Sequence, residues 1–180
     1  MKNRFFNKKN ILMLIAMLIV FLGFTFLKTS INHSNQSPFE FLKKNIFEPI
    51  ISPTEFLCQA EIGNKKYVVF YINGNSNVAC AIIRKGDLSY SILGTSAELM
   101  LKNDIESRGA LWNPYGDNNE WINWGIILNE EIDKVIIDGK EATIMNTTQR
   151  EVRICFLSGK ADYNDDCFEV IYKNGKHQLF

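Results

Sequence analysis

The stretch EFLCQAEIGNKKYVVFYINGNSNVACAIIR, residues 55–84, decides the fold class. It holds three short runs rich in Val, Ile, Phe and Tyr, separated by Gly63-Asn64 and Asn73-Gly74. Asn-Gly and related pairs favour tight hairpin turns because the central residues must tolerate positive φ. The runs therefore predict strands over Glu55–Ile62, Lys66–Ile72 and Asn77–Arg84, folded back on one another as a meander.

The same punctuation recurs outward from this stretch, at Gly86-Asp87, Asp138-Gly139, Ser158-Gly159 and Asn174-Gly175. It predicts further strands over Leu88–Leu93, Ile122–Leu128, Lys134–Ile137, Glu141–Met145, Glu151–Leu157, Cys167–Tyr172 and His177–Phe180. About ten short strands with frequent turn signals predict a mainly β fold, an antiparallel sandwich or a partly open barrel. One or two short helices accompany it. Ser37-Pro38-Phe39-Glu40 supplies a capping residue, proline at the first helical position and an early glutamate, a strong helix start. Phe39, Leu42 and Ile46 follow at helical spacing, with Lys43 and Lys44 on the other side. Such a helix either packs on the domain or lies at a bilayer surface. Thr95-Ser96-Ala97-Glu98 reads as a second capping box, predicting a helix over about Ser96–Arg108, although Ala97, Leu99 and Leu101 also alternate as a strand would.

The N-terminus is of another kind. Lys2, Arg4, Lys8 and Lys9 precede an apolar run from Ile11 through Leu27, stopped by Lys28, and residues 1–30 contain no acid. A run of this length is at the short end of the ~17–25 residues needed to cross a bilayer. The cations before it orient the N-terminus into the cytoplasm and the rest of the chain outside. A cleaved signal peptide has the same parts but ends in a small-x-small site, and Lys28 occupies one of the positions where a small residue is wanted. The Gly23–Leu27 stretch resembles a pilin processing site, but it follows the hydrophobic segment instead of preceding it. The expected organisation is a cytoplasmic basic segment (1–10), a transmembrane signal anchor (11–28), a polar tether (29–37) and an extracytoplasmic domain (38–180).

Net charge is zero over 180 residues, but five of the 20 cations lie in the first thirty, which leaves the exported part with 15 cations against 20 acids. A mildly acidic domain without a Lys/Arg run argues against nucleic acid and against a second, electrostatic contact with the membrane. Thirteen Phe, six Tyr and three Trp supply a core.

Four cysteines, Cys58, Cys80, Cys155 and Cys167, fall on the oxidising side, where disulfides form. Aligning Cys155 with Cys167 also sets Arg153 opposite Glu169, Ile154 opposite Phe168 and Val152 opposite Val170. That register predicts a bridge between neighbouring strands. Cys58 faces Val69 in the meander, with Cys80 one strand further on, so those two lie about 9.5 Å apart and do not bridge. No CxxC or Cys/His cluster indicates a metal site, and no cofactor is expected.

The segment Trp112–Trp124 contains all three tryptophans among Asn, Asp and Gly. Flat rings beside amides suit stacking on a sugar or peptide. Trp124 shares its parity with Ile122, Ile126 and Leu128 and reads as core, whereas Trp121 has the opposite parity and is expected to be exposed. The ligand-binding candidates are therefore Trp112, Tyr115, Asp117, Asn118, Asn119 and Trp121. Asp162–Asp166 opens like a calcium loop but has Cys167 and Lys173 where glycine and glutamate belong. A Ser-His-Asp site would have to use His177, and no Gly-x-Ser-x-Gly elbow accompanies it. The function class expected is a non-catalytic binding or accessory module with a protein or carbohydrate partner. An exported hydrolase using Asp/Glu carboxylates and an envelope-structural protein are the alternatives.

Overall fold

The computed structural model describes residues 13–22, 36–46, 51–87, 89–96, 98–100, 107–111, 120–160 and 168–179. Residues 13–22 form a helix, α1. At 1.5 Å per residue, its described part is about 15 Å long. No helix among the described residues is long and apolar enough to cross a membrane. The flanks of the expected span, residues 11–12 and 23–27, lie outside the described residues.

The domain from Pro38 onward is mainly β, with thirteen strands among the described residues arranged in three antiparallel sheets. The first sheet is the meander β1 (Pro53–Gly63), β2 (Lys66–Asn73), β3 (Asn77–Lys85) and β4 (Tyr90–Thr95). A short β5 (Leu99–Met100) also pairs with β3. The second sheet has the order β10–β11–β7–β6, from Thr143–Asn146, Arg153–Lys160, Glu120–Ile127 and Ser107–Leu111. The third has the order β13–β12–β8–β9, from His177–Leu179, Phe168–Tyr172, Ile132–Ile137 and Lys140–Glu141.

The turns follow from their residues. Asp138 and Gly139 both have positive φ (50° and 69°), as the two-residue turn between β8 and β9 requires. At the β2–β3 turn the buried Asn73 folds back, and its Oδ1 accepts the N–H groups of Asn75 and Asn77 at 3.0 Å. These side-chain bonds reinforce the backbone turn, in which the Ser76 N–H donates to the Asn73 carbonyl at 3.0 Å.

Side-chain alternation explains the stacking. Val68, Phe70, Cys80 and Ile82 of the first sheet share a core with Ile122, Trp124, Ile154 and Phe156 of the second. The opposite parity of the first sheet, Val69, Tyr71, Ala81 and Ile83, is covered by Leu42 and Ile46, from helix α2 (Pro38–Asn45) and the residue after it. The helix predicted at Pro38 thus forms, and it packs on the domain. The opposite parity of the second sheet, Ile127 and Cys155, packs against Ile132, Val135, Ile137 and Val170 of the third. Strands buried on both faces read as continuous apolar runs, which is why Val68–Ile72 and Val78–Ile83 lack alternation.

The helix expected over Ser96–Arg108 is overturned at both ends. Leu99–Met100 is β5 and Ser107–Leu111 is β6. Ser96 does not cap a helix: its N–H donates to the Cys80 carbonyl at 2.8 Å, and its Oγ accepts the Cys80 N–H at 2.9 Å. The hydroxyl that reads as a capping group instead completes the ladder beside β3.

The register across the first turn is displaced by one residue. Cys58 lies opposite Phe70 instead of Val69, because the turn falls at Asn64-Lys65 instead of Gly63-Asn64, an offset that the irregularity between Glu61 and Gly63 partly takes back. A second irregularity between Phe56 and Cys58 leaves Leu57 and Cys58 both buried. The loop after β10 closes over this point of the β1 edge. There Thr148 donates its N–H to the Leu57 carbonyl (3.0 Å) and its Oγ1–H to that of Phe56 (2.6 Å).

Candidate functional site

The aromatic segment ends on β7. Trp124 is fully buried, and its ring lies 5.5 Å from that of Phe70 across the first core. Its Nε1 finds no hydrogen-bond partner among the described residues, so apolar packing holds the ring. Trp121 faces the other side of the second sheet. Contrary to expectation it is only 4% exposed. It pairs with Gly159 of β11, and a methyl group on Gly159 would come within 2.3 Å of the indole. Glycine therefore lets the ring lie flat on the partner backbone. The parity argument correctly separated the two tryptophans, but it assumed that the face away from the first core meets solvent, whereas this sheet is a middle layer. Trp112, Tyr115, Asp117, Asn118 and Asn119 lie outside the described residues. So does the Asp162–Asp166 loop.

The strand register expected for the disulfide does not form. β11 pairs with β7 and β10, placing Arg153 opposite Ile127 and Asn146. β12 pairs with β8 and β13, in a different sheet. Arg153 donates to the carbonyls of Asn129 (2.7 Å) and Ile132 (2.9 Å), fixing the β7–β8 connection. Cys155 lies opposite Gly125 and Ile144 as a free, buried thiol, and Cys167 lies outside the described residues. Cys58 and Cys80 are also free and buried, and they flank Phe70 from the strands on either side. Burial pushes all three thiols up to about 12. A bond from Ser96 to Cys80, and for Cys155 backbone bonds and the Arg153 charge, only partly oppose the shift. A thiol nucleophile must ionise, and these remain protonated at neutral pH.

His177 is the other group with possible chemistry. Its Nδ1 lies 2.5 Å from Glu169 Oε1 on the outer face of the third sheet, where the imidazole is exposed. The residues in register with it across β12 and β8 are Ile171 and Lys134. Lys134 pairs with Glu141 at 3.1 Å on the same sheet. No group of three or more metal-ligating side chains occurs among the described residues.

The most unusual surface belongs to α1. All ten of its residues are apolar, and its large side chains are exposed, from 50% for Ile15 to 71% for Val20. Comparison with protein-family models, with curated proteins and with solved structures finds no match.

Proposed function

We propose that the chain is a single-pass membrane protein, N-terminus in the cytoplasm, that presents its mainly β domain outside the cell as a binding or accessory module. The observation that carries this reading is α1. A helix whose every side chain is apolar and exposed leaves in water a surface that hydrocarbon would cover, at about 25 cal/mol per Å². The cations Lys2, Arg4, Lys8 and Lys9 before it favour retention of that end in the cytoplasm. A non-catalytic role is supported by the protonated thiols Cys58, Cys80 and Cys155.

Membrane fractionation with intact-mass measurement tests the anchor. The full-length chain, including its first thirty residues, should stay with the membrane pellet through an alkaline carbonate wash. A shorter chain in the medium that begins beyond Ser30 would make the apolar run a cleaved signal instead.

A further inference from the structure

The first sheet separates two apolar cores. One of its faces packs on the second sheet, and the other, Val69, Tyr71, Ala79, Ala81 and Ile83, packs under α2. On the α2 side, Tyr71 lies opposite Ala79 and Val69 opposite Ala81. Two alanines beside larger residues leave a hollow, and the fully buried Leu42 packs in the same cluster. Phe39 touches Phe56 of β1, with ring centroids 5.5 Å apart, and Phe41 touches Tyr90 of β4 at 5.6 Å. The helix therefore straddles the meander, with contacts on its first and its fourth strand.

What holds α2 differs in kind from what holds the strands. Each strand of the meander is tied to its neighbours by a backbone ladder. The helix has eight residues, too few to persist without packing, and it and the next residue bury Phe41, Leu42 and Ile46. Its last turn is closed by the Ile46 N–H on the Leu42 carbonyl (2.9 Å) and by Asn45 Nδ2 on that of Phe41 (2.8 Å). The Ser52 hydroxyl then donates to the Ile46 carbonyl at 2.9 Å, just ahead of β1. Elements with few buried contacts open before the rest of a fold. Losing α2 bares one face of the first sheet and leaves the core on its other face in place. In chain order α2 is also the first element of the domain, so a pull from the N-terminal side reaches it before any strand.

We infer that α2 is a releasable strap: tension arriving through residues 29–37 detaches it and bares the Val69, Tyr71, Ala79, Ala81 and Ile83 face while the three sheets stay folded. The source of the tension rests on the anchor reading above; the order of release rests on the packing of α2 alone. Leu42 is the residue that fastens the strap, since it fills the hollow over the two alanines. The buried face is uncharged, so its exposure converts a pull on the chain into a new apolar surface.

The test is optical-tweezers stretching of the full chain in detergent micelles. One handle joins a peptide tag placed before Gln36 and the other a tag after Phe180, so the load enters from the N-terminal side of α2. A first, reversible lengthening should precede the main unfolding event. It should not exceed about 50 Å, the extended length of residues 37–51. Leu42→Ala should shift this first event to lower force and leave the main event in place. Moving the first tag to a point before Pro53 should abolish it. If the wild-type chain lengthens in a single event, or Leu42→Ala weakens both events alike, α2 is part of the stack and the strap is overturned, with the anchor untouched. A chain that shows the first event but washes from membranes in alkaline carbonate overturns the anchor and the tension role together.

Discussion

Trp121 and Trp124 lie on one strand, face opposite sides of it, and are both buried. Replacing either with alanine should cost about 3–5 kcal/mol, as removal of a buried aromatic does, and chemical denaturation would measure it. For Trp121 this reverses the expectation from parity. Gly159→Ala should cost about 1–3 kcal/mol by forcing the Trp121 indole off its shelf; a neutral outcome would mean that the ring moves freely. The thiols supply a pH signature. Cys58, Cys80 and Cys155 are raised from 9.0 to about 12 in the fold, so the folded state keeps protons that the unfolded chain releases. Their stabilisation is complete below pH 9 and is lost as pH rises towards 12. By pH 10 each thiol should already lower stability by on the order of 1 kcal/mol relative to neutral pH. The pH 8 to pH 10 loss measured by denaturation should shrink in Cys80→Ala. Which way Trp121 points could be read from the sequence; what lies above it could not, because side-chain period two says nothing of a third sheet.

Most strands and the Asp138-Gly139 turn were legible because both are local, but Ser158-Gly159, which reads as a turn, lies inside β11, and Ser107–Leu111, part of which reads as helix, is β6. Asp138-Gly139, with its two positive φ values, announces its turn by residue type alone. Partner choice is not local. The match of Arg153 with Glu169 was available in the sequence, yet in the fold Arg153 fastens the β7–β8 connection and Glu169 meets His177. β11 is a central strand, buried on both faces and flanked on both edges, and a pairwise comparison cannot find two partners at once. Ser96 shows a related ambiguity, since a hydroxyl that caps a helix also satisfies a strand N–H. The loop after β10 tests the joint between the first two sheets. Thr148→Val keeps the side-chain shape but loses the hydroxyl that donates to the Phe56 carbonyl. It should cost about 0.5–1.5 kcal/mol and hasten amide exchange along β1 while leaving β12 unaffected. Uniform acceleration over the domain would show instead that the loop is not a local fastening.

At the scale of the whole domain, α2 covers the first sheet, the first sheet packs on the second, and the second on the third. The centre of this stack is the most apolar part of the domain. Its paired His177 lies at the surface. Among the described residues, α1 is the part whose composition suits hydrocarbon. The central claim is the orientation this gives the chain, and protease added to intact spheroplasts tests it most directly. The domain from Pro38 onward should be attacked from outside, leaving a small membrane-bound fragment that contains α1, while a cytoplasmic marker stays whole. Protection of the domain in intact spheroplasts, with digestion only after the membrane is opened, would contradict the account.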